Sequence, residues 1–366
     1  MTNTADLPAG AATAPDADGG LEAALDRYRV ELTGYCYRML GSSFDAEDAV
    51  QDTYVRAWRS FEKFEGRSSL RSWLYRIATN VCLDLLSAGN KRARPMDLTA
   101  PQHQATAVLS ERPEVTWLEP VPDGRVLPQT ADPAEMALAK ESVRLAFVAA
   151  LQHLPPKQRA VLILREVLAW KADEVAVLLE TTTASVNSAL QRARATLSAH
   201  PLRESESADP LDAEQVALLE QYLSAFEAYD ISRLTTLLHE DAVLSMPPFD
   251  LWLQGPADIA AWHLNQGIGC KGSRLVPTTA NGLPAFGQYR PREDGRPGHV
   301  PWALQVLEVS AGRIVGLNAF LDTARWFPLF GLPEQLDQAH QAEQGPQLGP
   351  CSGHREAAAP AAGGQP

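Results

Sequence analysis

The sequence predicts a multidomain chain in which two all-α modules are followed by one α+β domain. Three observations carry this. Apolar residues recur at helical spacing, with no strand signal, through Leu21–Arg94 and again through Ala134–Ala199. Between those stretches Pro95, Pro101, Pro113, Pro120, Pro122, Pro128 and Pro133 interrupt any regular element. After Leu211 the pattern changes to β-like runs.

Residues 1–20 are poor in large apolar groups and are expected to be disordered. In residues 21–94, one helical face is drawn by Val50, Tyr54, Ala57, Trp58 and Phe61. Leu70, Trp73, Leu74, Ile77, Val81 and Leu85 draw another. The proline-rich stretch 95–133 is acidic: six carboxylates against Arg112 and Arg125 give a net of −4. It reads either as a solvated tether or as a polyanionic strand, although Trp117 in such a setting needs a surface to bury against.

In residues 134–200, Pro155-Pro156 opens a helix where proline is tolerated. The segment Leu164–Leu197 then reads as two short helices joined by a tight turn, a helix-turn-helix. Val175, Ala176, Leu178 and Leu179 give the first helix its apolar face, Glu180-Thr181 makes the break, and Thr182 is a hydroxyl N-cap. In the second helix Val186, Leu190, Ala193 and Leu197 recur at i, i+4, i+7 and i+11. Thr183, Ser185, Asn187, Ser188, Gln191 and Arg192 are left for base edges and phosphates. The third region, 211–336, begins with a helix on Val216, Leu219, Leu223 and Phe226. Strands follow over Ala242–Met246, Ala303–Val309 and Arg313–Phe320, the last two joined by a Ser310-Ala311-Gly312 hairpin. The Ala, Gly, Pro and Gln-rich residues 341–366 are expected to be a disordered tail.

At 366 residues there is ample sequence for separate cores. No apolar run approaches the roughly 18 residues of a membrane span. The N-terminus lacks the basic start and apolar core of a secretory signal, so a cytoplasmic location is expected. Cys36, Cys82, Cys270 and Cys351 are too scattered for a metal knuckle or redox pair, and no metal or cofactor is predicted. The first two fall on apolar helix faces. Net charge is −13, the wrong sign for holding DNA by electrostatics alone. Yet between Arg56 and Arg94 nine basic residues face only Glu62, Glu65 and Asp84, a local net of +6. Charge is segregated.

The run Phe44-Asp45-Ala46-Glu47-Asp48-Ala49-Val50-Gln51-Asp52-Thr53-Tyr54-Val55-Arg56-Ala57-Trp58 resembles the polymerase-binding helix of bacterial extracytoplasmic-function (ECF) sigma factors. Phe64–Asp84, with Gly66-Arg67-Ser68-Ser69-Leu70 and Trp73-Leu74-Tyr75-Arg76-Ile77-Ala78-Thr79-Asn80, is similar to the family's promoter-melting and −10-reading segment. Leu154-Pro155-Pro156-Lys157-Gln158-Arg159 and the helix-turn-helix extend the likeness over about residues 21–200. Asp45, Glu47 and Asp48 also suit a first helical turn on dipole grounds alone. The resemblance implies that Asp45, Asp48, Gln51, Asp52 and Arg56 meet core RNA polymerase at the clamp helices of its largest subunit. It implies likewise that Arg67, Arg71, Tyr75, Arg76, Thr79, Asn80, Lys91 and Arg92 face the −10 element of promoter DNA. Residues 63–70 would form the loop that captures a flipped base. By helical position Trp73 belongs to the core, and Tyr75, Arg76, Thr79 and Asn80 to the polar side.

The helix-turn-helix, implied to read the −35 element, departs from the family pattern at Glu180, where glycine is common, at Asn187, where lysine is common, and at Ala189, where arginine is common. Two potential phosphate contacts are thereby missing. Trp117-Leu118-Glu119-Pro120-Val121-Pro122-Asp123 is similar to a family subgroup with a C-terminal extension. That extension resembles a SnoaL-like α+β cone, notably in Asp241–Pro248 and Trp252–Pro256. Such cones enclose an apolar cavity and include enzymes and non-catalytic modules alike. Asp230, His239, Asp241, Asp250 and His263 are the available acids and bases, but no converging pair is evident and no catalytic activity is expected.

The reading is therefore a sigma region 2 bundle (21–94), a region 4 helix-turn-helix (134–200) and a SnoaL-like regulatory cone, together directing promoter recognition, melting and initiation with core polymerase. A separate anti-sigma factor or a small ligand acting on the cone is left open. The alternative is a DNA-binding regulator with a ligand-sensing domain that works without polymerase.

Overall fold

The computed structural model describes residues 19–66, 68–87, 91–128, 132–199 and 213–337. Gly19 and Gly20, expected in the disordered arm, begin the first helix. The expectations for residues 1–18 and 341–366 lie outside the described residues.

Helices α1 (Gly19–Leu40), α2 (Ser43–Ser60) and α3 (Leu70–Ser87) form the first bundle. Ser42 caps α2 by accepting from the Asp45 amide at 3.0 Å, and Gly41 supplies the positive φ that turns the chain there. The buried stripe of α2 is small, Ala46, Ala49, Val50, Thr53 and Ala57, which brings α1 close. Trp58, expected in the core, is 54% exposed because that narrow stripe leaves it outside. On α3 the buried residues are Leu74, Tyr75, Ala78, Thr79, Val81 and Cys82. Removing a core side chain such as Leu74 by Leu74→Ala costs roughly 2–5 kcal/mol. Cys36 and Cys82 are buried free thiols, as their positions predict.

The proline-rich stretch is not a solvated tether. It contains two one-turn helices, α4 (Pro95–Leu98) and α5 (Asp123–Val126), and Trp117, Leu118, Glu119 and Val121 are all buried. Tryptophan finds its surface. Single bridges pair Glu111 with Phe249 and Pro122 with Ala280, so the stretch is mortared into the third region.

Helices α6 (Pro133–Glu141), α7 (Leu145–Gln152), α8 (Pro156–Leu162), α9 (Ala172–Leu178) and α10 (Thr183–Ser198) make the second bundle, with α8 widening into a π turn over Ile163–Val167. Helices α9 and α10 form the expected helix-turn-helix. Val175, Ala176, Leu178, Val186, Leu190 and Ala193 are buried, and Thr182 accepts from the Ser185 amide at 3.2 Å.

The third region packs α11 (Ala213–Glu227), α12 (Ile231–Thr236) and α13 (Pro256–Leu264) on a six-stranded sheet. Its strands are β1 (Leu238–Ser245), β2 (Trp252–Gln254), β3 (Arg274–Ala280), β4 (Leu283–Pro291), β5 (His299–Ser310) and β6 (Arg313–Phe320), in the order β2-β1-β6-β5-β4-β3. Only the β1–β6 pair is parallel among the described residues. The β5–β6 turn is the predicted one: Ala311 and Gly312 both take positive φ. Asn281-Gly282 builds a second such turn, between β3 and β4. Helix α14 (Thr323–Leu329) returns to the first bundle.

Separate cores were expected, and the packing differs. One apolar cluster runs from Leu32 and Leu74 through Leu118 and Val121, Leu151 and Trp170, to Leu283, Phe320 and Trp326. A second lies inside the cone between α11–α13 and the sheet. Stapling three regions through one core suppresses the domain motion that small polar interfaces allow.

Candidate functional site

On α2 the helical period places Asp48, Gln51, Asp52, Val55 and Arg56 on the outer face. Asp48 and Gln51 are exposed, as are Val55 and Trp58 beside them. Arg56 is shared between Asp52 at 2.9 Å and Asp84 at 3.1 Å. The result is an acidic surface with two apolar contacts. Asp45 does not join it, because its carboxylate accepts from Arg92 Nη2 at 2.7 Å.

That arginine leads into a buried polar cluster centred on Glu119. Glu119, 1% exposed, accepts from Ser42 Oγ at 2.6 Å, the Ser43 amide at 3.1 Å, Arg92 Nη1 at 3.2 Å and Arg325 Nη2 at 3.1 Å. One buried carboxylate thus joins α2, the segment after α3, the proline-rich stretch and α14. Arg325 also stacks 4.4 Å from the Phe44 ring. Arg92, expected to face DNA, is 6% exposed. Its charge is taken up by Asp45 and Glu119, since a buried guanidinium demands partners.

A second junction is built on Asn281 at the tip of the β3–β4 hairpin. Its Nδ2 donates to Tyr37 Oη of α1 at 2.6 Å and to the Val143 carbonyl at 2.7 Å, while its Oδ1 accepts from the Val121 amide at 3.1 Å. The neighbouring Gly282 amide donates to Asp123 at 2.7 Å. Arg38 crosses between the bundles as well, with Nη2 donating to Ser142 Oγ at 2.7 Å. Arg159 of the Leu154–Arg159 motif donates to the Met39 carbonyl and, at 2.7 Å, to Gln152 Oε1. Burial lowers both guanidinium pKa values to about 10.

The face of α3 is turned inward. Tyr75 is fully buried against Tyr35 and, at 5.0 Å between ring centroids, against Trp170 of the second bundle. Its hydroxyl donates to Glu31 at 2.8 Å, and burial pushes its pKa well up, with Glu31 adding to that. Thr79 Oγ1 lies 2.7 Å from Tyr35 Oη. The sequence reading put Tyr75 and Thr79 on the polar side. Both are buried: Thr79 packs against Tyr35 of α1, and Tyr75 lies between Tyr35 and Trp170 of the second bundle. Arg71 is half-buried, donating through Nε to Glu31 at 2.6 Å with its guanidinium 5.1 Å from the Trp170 ring. Arg76 is exposed but ion-paired to Glu180 in the helix-turn-helix turn. Asn80 and Lys91 are exposed. Arg67 lies outside the described residues. Trp73 is half-buried, its ring 4.9 Å from Phe64 and 6.3 Å from Phe61.

On α10 the outcome is the reverse. Thr183, Ser185, Asn187, Ser188, Gln191 and Arg192 are all exposed along one surface. Ser185 reaches back to Thr182 at 3.0 Å, and Arg194 is engaged by Glu166 at 2.5 Å.

Comparison with known proteins decides the family. Residues 24–92 match the Sigma-70 region 2 model, 144–197 the Sigma-70, region 4 model and 219–317 the SnoaL-like domain model. Over 321 residues the chain is 47% identical to the ECF RNA polymerase sigma factor SigG of Mycobacterium tuberculosis, covering 87% of this chain and 85% of that one. The chain belongs to the ECF RNA polymerase sigma factors. It is also 31% identical to SigJ of the same organism over 219 residues, which is 59% of this chain and 62% of that one. The crystal structure of SigJ shares the fold, with a TM-score of 0.55 at 21% identity, over 85% of this chain and 100% of that one.

As an ECF sigma factor the chain directs promoter recognition and transcription initiation through regions 2 and 4, and carries a SnoaL-like domain after them. The family departure at Glu180 has a structural counterpart. Its backbone is in the left-handed region, φ +51, where glycine is unstrained, and its side chain is the partner of Arg76. Sequence reasoning missed Trp170, Asn281 and Arg325. Only Asn281 carried a signal, the Asn-Gly pair between two β-like runs. No helix among the described residues is long and apolar enough to cross a membrane. Of the five acid and base candidates in the SnoaL-like domain, His263 alone lines its cavity. Asp230 caps α12, and Asp250 pairs with Arg112 at 3.2 Å.

Proposed function

We propose that the outer face of α2, built from Asp48, Gln51, Asp52 and Arg56 with Val55 and Trp58, docks on the clamp helices of the largest polymerase subunit. Arg71, Arg76, Asn80 and Lys91, with the segment holding Arg67, serve the −10 element, and the exposed residues of α10 serve the −35 element. Free in solution the factor is closed. The observation that carries this reading is the covering of α3 by region 4: Trp170 sits on Tyr75 and Arg71, and Glu180 holds Arg76. A helix so covered does not present its face to a melted strand.

The SnoaL-like domain acts as the clamp, through Arg325 on Glu119 and Asn281 on Tyr37 and Val143. Core polymerase, by binding the open form better, shifts the equilibrium toward it. Whatever competes for α2, a separate anti-sigma protein included, works against that shift.

The test is a promoter gel shift with and without core polymerase. Retardation is expected only with polymerase, since the chain carries −13 and α10 offers two arginines. Tight retardation by the free chain would instead indicate a regulator acting on its own.

A further inference from the structure

The SnoaL-like domain encloses a cavity of about 270 Å³ between the sheet and α11–α13. Its walls are apolar, drawn from Tyr222, Phe226, Leu244, Trp262 and Leu317. The polar groups on its floor satisfy one another: Tyr222 Oη donates to Gln305 at 2.8 Å, Gln305 Nε2 to Gln288 at 2.8 Å, and Gln288 Nε2 to Ser273 at 3.0 Å. His263, 7% exposed, lines the same space, and its Nδ1 has no hydrogen-bond partner among the described residues. Burial lowers its pKa to about 4, so the ring is neutral at pH 7.

That leaves Arg290 as the one charged group lining the cavity among the described residues. Its Nε donates to the Gly269 carbonyl at 2.6 Å and its guanidinium stacks 3.6 Å from the Trp302 ring, but it makes no ion pair among the described residues. No carboxylate of the described residues lines the space. A fixed, half-buried cation without a counter-ion beside an apolar chamber favours an anion and rejects a cation.

The wall is completed from outside the domain. Leu109, from the stretch joining regions 2 and 4, lines the cavity and Ala107 packs on the domain's core. This stretch is strapped down by Gln102 N to Trp252 O at 2.9 Å, Asp250 N to Ser110 O at 3.0 Å, Arg112 N to Pro248 O at 3.0 Å and the Arg112–Asp250 ion pair. Seven residues beyond Arg112 it delivers Glu119 into the closed junction.

We propose that the cavity binds a small apolar molecule bearing one acidic group, ring system inward and acid at Arg290, with residues 107–112 closing over it. A ligand touching Leu109 binds the strapped form better than the released one and therefore strengthens the closed factor. The effect on transcription rests on the closed state proposed above, whereas the binding itself does not.

Naphthalene-2-carboxylate is a suitable probe, titrated into the full chain by its own fluorescence with naphthalene-2-carboxamide as the uncharged control. The acid is expected to bind about tenfold more tightly than the amide. Arg290→Gln should remove that difference by weakening the acid alone, and Ala319→Phe, which fills the cavity, should weaken both. Circular dichroism checks the fold of each variant, and Arg290→Gln decides if the filled variant does not fold. Hydrogen exchange at the Arg112 and Asp250 amides should slow when the acid is present. Equal binding of acid and amide, acid binding that survives Arg290→Gln, or no binding at millimolar concentration would overturn the site. Binding without slower exchange at those amides would overturn the lid. Failure to join core polymerase, with the acid still bound, would instead remove the sigma-dependent regulation and leave the site standing.

Discussion

Helices α3 and α10 are both proposed to face promoter DNA, and the fold treats them oppositely. On α3, Tyr75 and Thr79 are buried, Arg71 is pinned by Glu31 and Trp170, and Arg76 is held by Glu180. On α10, all six assigned residues stand in water. Side-chain reach accounts for most of the difference. The rings and guanidiniums of Tyr75, Arg71 and Arg76 reach partners on α1 and in the second bundle, whereas the short hydroxyls and amides of α10 lose little by staying hydrated. On the proposed assignment, control is built at the face of α3 that would read the −10 element, and α10, the proposed −35 reader, is left open but weakly cationic.

Glu119→Ala removes the buried carboxylate that Arg92 and Arg325 share, leaving Arg92 with Asp45 and Arg325 with Glu114. Breaking one partner out of a buried charge cluster costs about 3–5 kcal/mol. Urea unfolding should show that loss, and hydrogen exchange should show α3 exposed. Near-wild-type stability and exchange would remove the junction from the account.

Acid offers a second lever, remote from both helices. His263 has a pKa of about 4 in the fold against an ordinary value near 6.5. The unfolded chain therefore takes up the proton first as pH falls, so stability present at neutral pH is lost from about 6.5 down to 4 and levels off below. Over that window the loss amounts to about 3 kcal/mol, and thermal unfolding of His263→Phe should lack it.

Asn281→Ala removes three hydrogen bonds and places alanine at φ +57. A loss of about 1–3 kcal/mol is expected, together with increased transcription by the reconstituted polymerase. On α10, Arg192→Ala should leave unfolding unchanged and weaken holoenzyme binding to a −35 element about tenfold, by filter binding at fixed salt. A stability change there would contradict its free surface. The smallest effect belongs to Glu180→Gly, which trades an exposed ion pair for relief of backbone strain and should shift unfolding by less than about 0.5 kcal/mol.

What could be read from the sequence was local. The helix-turn-helix emerged with its Thr182 cap and its Val186–Leu190–Ala193 stripe because a cap and a helical period are decided within a few residues. The Ala311-Gly312 turn was legible for the same reason. The burial of Tyr75 was not, because the ring that covers it, Trp170, lies in another bundle. Nor was Glu119, an acid in a proline-rich stretch that composition marks as solvated, whose partner Arg325 lies 206 residues away. Periodicity names the face a helix hides from its neighbours in sequence, not the face hidden by a distant module.

Region 4 is proposed to cover α3 in the free factor and to leave it in the holoenzyme. Spin labels on Leu85 of α3 and Val177 of α9, both exposed, report that separation by pulsed dipolar spectroscopy. One short distance is expected for the free chain, replaced by a longer one when core polymerase is added. The same short distance in both states would contradict it.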